Sequence, residues 1–357
     1  MRSFLLLAAC APLRALAWGS AGHEIIATIA QIHLHPSAYP SVCSILNSTS
    51  HDPSGPPCHL APVASWADRI RFKYHWSGPL HYIGAFGDHP RETCLFPGDR
   101  GWEGRQDANI LGATRNMTNQ LTSYVAKTKL GGHVSTEDTE EASQALKFLI
   151  HFLGDLHQPL HLTGRDRGGN SDKVVFDGRQ TNLHSVWDSK LIAKAIRSTP
   201  RKYNHPLPDE RIEYSLRGAI YDPYVRQIMT EGVLHDWARD IPDWLECPAR
   251  QQSSGDKSGE QRVLSDEGDP GANTDDDVLC PYSWAKPIHA LNCDIIWPKE
   301  LDEVSLGGRH RHPHHEGPEL DTPEYAGVIA REKLIERLLA QAGVRLAHTL
   351  NLLFAEE

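Results

Sequence analysis

The segment His151-Phe152-Leu153-Gly154-Asp155-Leu156-His157-Gln158-Pro159-Leu160-His161 concentrates ligand-type side chains at chemically useful spacings. On a helix, His151 and Asp155 stand four residues apart and share a face, while Pro159 ends or bends the helix and lets His161 turn back towards that face. A second pair at the same spacing, His184 and Asp188, lies in Asn182-Leu183-His184-Ser185-Val186-Trp187-Asp188. Imidazole nitrogen combined with carboxylate oxygen suits zinc, and a site left partly open to water is the catalytic kind. With 21 histidines in the chain, either pair alone would also arise as an ordinary helix-surface pairing. Together they are harder to dismiss, because both sit among apolar residues, where an unpaired carboxylate is costly. His157 falls about 200° round the helix from Asp155, so it reads as a supporting or surface residue. Asp166 and Asp172 flank Gly168-Gly169-Asn170, a tight loop expected to shape the site rather than to bind.

The elements that must position these residues are mostly helical. Apolar residues recur at helical spacing in Ile25, Ile26, Ile29 and Ile32, from Ile110 to Val125, and strongly from Ala142 to Leu156. Further helical stretches are expected from Pro208 to Asp243 and from Thr322 to Phe354. The convincing strand pair is Lys173 to Phe176 and Arg179 to Leu183, joined by Asp177-Gly178, the residue pair a tight hairpin turn prefers. The fold class is therefore mainly α, a single-domain helical bundle with one small β-hairpin. Between residues 250 and 279 the composition shifts to Ser, Gly, Asp and Gln, which cannot bury enough surface to order itself, so this reads as a disordered acidic insertion.

At 357 residues, 39% hydrophobic and 23% charged, the chain can bury an ample core. Met1 to Ala17 carries Arg2, the apolar run Phe4 to Ala9 and an Ala15-Leu16-Ala17 end, the layout of a secretory signal that leaves Trp18 as the first mature residue. The apolar run is too short for a membrane anchor, and no later stretch is long and apolar enough to span a bilayer. A formal charge of -10, made more acidic by the loss of Arg2 and Arg14, gives no general attraction to nucleic acid. Removing Cys10 leaves six cysteines, an even number suited to an oxidising destination. Spacing suggests Cys43 with Cys58 and Cys247 with Cys280, leaving Cys94 with Cys293, although sequence alone permits other connectivities. Asn47-Ser48-Thr49 and Asn116-Met117-Thr118 are glycan acceptor sequences.

Trp18-Gly19-Ser20-Ala21-Gly22-His23, Trp66-Ala67-Asp68-Arg69-Ile70-Arg71, Leu80-His81-Tyr82-Ile83, the His151 to His161 segment, and Arg167-Gly168-Gly169-Asn170 with Asn182 to Asp188 resemble, in order, the motifs of the zinc-dependent single-strand-specific nucleases of fungi and plants. The resemblance runs to Ala342-Gly343-Val344-Arg345-Leu346 and covers nearly all of residues 18–357. It implies three zinc ions: one held by Asp68, His81, His151 and Asp155; a second by His161, His184 and Asp188; and a third by His23, Asp155 and the amino nitrogen and carbonyl oxygen of Trp18, with Asp155 shared between the first and third. Zinc lowers the pKa of bound water from 15.7 to about 7 and can stabilise a leaving oxygen, which suits in-line attack on a phosphodiester. Arg71 would brace the transition-state charge, Asp68 would additionally orient the water, and Tyr82 would stack on an unpaired base of single-stranded DNA or RNA. For Arg71 the competing reading is a surface salt bridge, and for Tyr82 core packing.

The chain departs from the family's pattern at Gly84, where an Asp that hydrogen-bonds the base is expected, in lacking a short-range cysteine pair after Cys94, in the 250–279 insertion, and in the run Arg309 to His315. That run contains Pro313 and follows Gly307-Gly308, so it reads as a solvated loop. The expected product is a secreted, monomeric endonuclease that needs no protein partner or membrane and leaves 5′-phosphorylated ends, with 3′-nucleotidase activity also implied by the resemblance. A zinc phospholipase C and a secreted zinc-binding protein with weak or no turnover are the alternatives.

Overall fold

The computed structural model describes residues 18–50, 52–105, 107–248, 274–276, 279–306 and 317–356. The expected signal segment, most of the 250–279 segment and the histidine-rich run lie outside the described residues. Helix α1 (Ser20–His33) packs along the C-terminal helix Leu334–Phe354, and α5 (Ile110–Lys129) along α6 (Thr136–Asp155). Ile25, Ile26, Ile29 and Ile32 line the buried face of α1, as their spacing predicts, and belong to the same buried core as Leu339, Ala342, Leu346 and Leu350 of the C-terminal helix. The two helices approach closely because Gly343 has no side chain: a Cβ there would stand 2.6 Å from Ile29 Cγ2.

Both central helices have defined starts. The Asn109 side chain accepts from Leu111 N and Gly112 N at the head of α5. A capping box at Ser135 and Asp138 opens α6. The last turns of α6 are buried on every side, from Phe148 to Asp155, which makes this the rigid spine of the molecule. The hairpin is present with β1 (Lys173–Phe176) opposite β2 (Arg179–Asn182), and Asp177 and Gly178 both take the positive φ that a tight hairpin turn needs. Residues 318–320 extend it, with Val175 N donating to Pro318 O and Leu320 N to Val175 O.

The stretch from Pro208 to Asp243 is helical, as expected, in separate pieces. It divides into Glu210–Leu216, Asp222–Gln227, a π-turn at Ile228–Asp236 and Ile241–Leu245. The breaks fall at Gly218 and Tyr221, which have positive φ, and at Pro223 and Pro242, each in the first turn of a new helix. Within the 250–279 segment the described residues 274–276 and 279 bond to the rest of the protein. Asp275 is buried and its carboxylate accepts from Tyr282 N and Ser283 N, while Thr274 O accepts from Arg115 Nε. These bonds cap the helix Pro281–Leu291, an interaction that composition alone does not reveal.

Candidate metal centre

His151 and Asp155 occupy one face of the last turns of α6, and both are fully buried. Four other elements converge on them. From α1, His23 lays its ring on that of His151, centroids 3.9 Å apart, and brings Nε2 to 3.2 Å from Asp155 Oδ1. At the end of the 3-10 turn His75–His81, His81 Nδ1 lies 2.9 Å from Asp155 Oδ2 and 3.1 Å from His151 Nε2, which is itself 3.2 Å from Asp155 Oδ2. From α4 (Trp66–Ile70), Asp68 Oδ2 approaches His151 Nε2 to 3.8 Å. Pro159 opens a 3-10 turn after α6, and that turn carries His161 back to the same region, with Nδ1 3.9 Å from Asp155 Oδ1. His161 stacks on His184 with centroids 5.0 Å apart, and His184 Nε2 is 3.1 Å from Asp188 Oδ2.

The stretch Trp18-Gly19 is tied to this cluster. Trp18 is buried, and Gly19 N donates to Asp188 O at 2.8 Å. The eight side chains from His23 to Asp188 thus form three adjoining groups: His23 with His151 and Asp155; Asp68 with His81 and His151; and His161 with His184 and Asp188. Cys94, His289 and Cys293 also come together, but the two sulfurs are joined as a disulfide and His289 Nε2 donates to Asp88 Oδ2.

The donor atoms fit a cation. Buried His23 Nε2, Asp68 Oδ1, His81 Nε2, Asp155 Oδ1 and His161 Nε2 have no hydrogen-bond partner. Each such orphan costs about 1–3 kcal/mol, so five in one place calls for a group that binds lone pairs. Tetrahedral zinc with ligands at about 2.0–2.1 Å sets neighbouring donors about 3.3 Å apart, close to the 2.9–3.2 Å separations among His23, His81, His151 and Asp155. Backbone carbonyls fix three of the rings: His151 Nδ1 donates to Ala64 O, His161 Nδ1 to His81 O and His184 Nδ1 to Gly168 O. That leaves each Nε2 turned inward, the usual support of a metal-bound histidine.

Charge points the same way. Burial raises the pKa of Asp155, but the charges of His151 and His161 outweigh it and hold the carboxyl well below its usual range. His151 is pushed up to about 9, because Asp155 and Asp68 overcome its burial. Burial holds His23 and His161 below the ordinary imidazole value. The ionised Asp155 carboxylate and the proton that His151 holds beside it mark a site that draws positive charge, which a divalent cation would supply in place of that proton.

The remaining candidates divide. Arg71 is partly exposed with Nη1 3.9 Å from Asp68 Oδ1. Tyr82 is 52% exposed and so is not core packing. His157 is fully buried rather than on the surface: Nδ1 donates to Leu153 O and Nε2 accepts from Arg345. Gln158 donates to Asp188 Oδ1 at 2.5 Å and accepts from Leu160 N, so it orients a ligand carboxylate. The loop between Asp166 and Asp172 does shape the site, since the Gly168 carbonyl anchors His184 and a Cβ at Gly168 would strike Leu160 O. Disulfides join Cys43 to Cys58, Cys94 to Cys293 and Cys247 to Cys280. Asn47 and Asn116 are exposed.

Gly154 was not evident as a functional position from sequence. It gives the His23 ring its space, because a Cβ there would lie 2.6 Å from Nδ1. A glycine in the last turn of a helix, one residue before a ligand, is the signal that could have marked it.

The sequence model of the S1/P1 nuclease family matches residues 18–355. Endonuclease 2 of Arabidopsis thaliana is 31% identical over 341 residues, spanning 94% of this chain and 90% of that protein. Nuclease P1 of Penicillium citrinum is 27% identical over 342 residues, 95% of this chain and 99% of that protein. Nuclease S1 of Aspergillus oryzae is 36% identical over 180 residues, half of this chain and 55% of its own length.

Proposed function

The chain belongs to the S1/P1 nuclease family, and on that footing we propose that it is a secreted endonuclease hydrolysing single-stranded DNA and RNA to 5′-phosphorylated products at a centre of three zinc ions. The observation that carries the proposal is the set of orphaned buried donors around Asp155, in a chain matched to the family over residues 18–355. Asp68, His81, His151 and Asp155 would hold one zinc; His161, His184 and Asp188 a second; and His23, Asp155 and the amino nitrogen and carbonyl of Trp18 the third. Zinc bound there would polarise the phosphoryl oxygens and activate water near neutral pH.

The chain's own groups supply the rest. Asp68 presents Oδ1 without a hydrogen-bond partner and can accept a proton or orient water. Arg71, partly exposed beside it, can place a charged fork on a phosphate. The half-exposed Tyr82 ring can stack on any base, but only on one that has left its pair, which favours single strands. Three disulfides are suited to an oxidising compartment, and no described helix is long and apolar enough to cross a membrane.

The test is to incubate the chain beginning at Trp18 with single-stranded DNA, duplex DNA, RNA and phosphatidylcholine vesicles. Single strands should be cut to 5′-phosphate ends, duplex much more slowly and the lipid not at all, with a zinc chelator stopping the reaction. Lipid hydrolysis without strand cleavage would indicate a phospholipase, and no turnover of any substrate a zinc-binding protein.

A further inference from the structure

Position 84 lacks the side chain that the family resemblance leads one to expect, and the backbone shows why none fits. A Cβ on Gly84 would stand 2.9 Å from both Cα and N of Gly164. The same Cβ would be 3.1 Å from Oε2 of Glu103, and a Cβ on Gly164 would be 2.5 Å from that oxygen. The carboxylate of Glu103 therefore lies over a floor made by two glycines. It arrives from the other side of a loop whose ends are paired: Glu103 N donates to Gly84 O at 2.8 Å and Phe86 N to Gly101 O at 3.0 Å. Trp102, edge-on to Phe96, and the Cys94–Cys293 disulfide fasten that loop to the body of the protein.

Tyr82 is extended, with φ -152 and ψ 172. His81 and Ile83 are buried on either side of the exposed Tyr82, and Gly84 is buried against Gly164 and the Glu103 carboxylate. The exposed Glu103 side chain thus stands against the backbone two residues from the exposed Tyr82 ring. Glu103 is itself exposed and its carboxylate makes no hydrogen bond or ion pair with any described residue.

We propose that Glu103 is a specificity-determining residue that reads the base stacked on Tyr82 and favours guanine. The proposal rests on the nuclease reading of the site. A carboxylate only accepts hydrogen bonds. Guanine offers it two adjacent donors, N1–H and the N2 amino group. Adenine and cytosine offer one amino group beside a ring-nitrogen acceptor, and thymine and uracil offer one N–H flanked by two carbonyls that repel it. The same charge weakens the approach of any phosphate strand, so a base that lacks two adjacent donors meets repulsion with less compensation, and selectivity arises from both effects.

The experiment uses single-stranded oligo(dT) carrying one dG, dA, dC or, as control, dT at a central position, with cut sites and kcat/KM measured for the chain beginning at Trp18. Cleavage beside dG should exceed that beside dT by about tenfold, towards the lower end of what a paired base contact gives. Glu103→Ala should bring the ratio within about twofold, chiefly through KM, and leave the thermal midpoint unchanged because Glu103 has no partner to lose. Glu103→Gln, whose amide both donates and accepts and so can match an edge of every base, should also lose the dG preference. A dG-to-dT ratio absent in the parent chain, or preserved in Glu103→Ala, would overturn the proposal while leaving the nuclease reading intact. No cleavage of any oligonucleotide by the parent chain would overturn both.

Discussion

Substituting Gly154 by alanine tests whether the geometry around Asp155 is what the activity depends on. The new methyl carbon would lie 2.6 Å from His23 Nδ1 and 2.8 Å from His23 Cε1. Ordinary contact begins at about 3.4 Å, so the imidazole must move by roughly 0.8 Å if the helix does not. It has little room, because His151 is stacked 3.9 Å away and Asp155 stands 3.2 Å from Nε2. Overpacking of this kind costs about 1–3 kcal/mol, and alanine returns up to about 1 kcal/mol through its better helix propensity. Global stability should therefore fall by no more than about 3 kcal/mol. A misplacement near 1 Å at a reacting centre costs on the order of 100-fold, so kcat on single-stranded DNA should fall far more than stability does. Urea unfolding, zinc content and single-strand cleavage measured on the same preparation separate the two effects. Gly154→Ala with parental zinc content and activity would refute the reasoning.

Other consequences are as specific. Arg345 is buried, with Nε donating to Trp244 O at 2.7 Å and Nη1 to His157 Nε2 at 2.8 Å, so Arg345→Met should cost about 3 kcal/mol in urea unfolding by orphaning both acceptors. Burial, with the charge of Arg211 adding to it, holds His33 down to about 4 from 6.5. The unfolded chain takes up that proton first as pH falls. His33 therefore leaves stability unaffected above about pH 6.5 and removes roughly 3 kcal/mol by about pH 4; His33→Asn should flatten this part of the profile. The Cys94–Cys293 bridge spans 199 residues and the Cys43–Cys58 bridge 15. Chain entropy makes them worth about 5 and about 3 kcal/mol, so replacing the first pair by alanine should lower the urea midpoint more than replacing the second.

The ligand-bearing end of α6 was legible because two signals coincide there: helical spacing of apolar residues up to Leu156 and a four-residue step from His151 to Asp155. The hairpin was legible because Asp177-Gly178 specifies its turn. By contrast, the places where the helical stretch after Pro208 breaks were only partly legible: Gly218 and Pro223 are breaker residues, but nothing in the residue type of Tyr221 announces its positive φ. Asp275 lies in a polar run, and its bonds to Tyr282 N and Ser283 N at the head of the helix Pro281–Leu291 reach too far along the chain for composition to encode. Gly154 and Glu103 were opaque for a common reason. Each acts on a residue distant in the chain, His23 in one case and Gly84 in the other, through a close approach that periodicity does not encode.

The central claim is that the donors around Asp155 hold zinc and that the amino end of Trp18 completes the set. Elemental analysis of the purified chain beginning at Trp18, beside one that retains Ala17, tests it most directly. Three zinc ions per chain are expected in the first, with fewer zinc ions and most single-strand cleavage lost in the second. One zinc or none in the first, or three with full activity in both, would contradict the account.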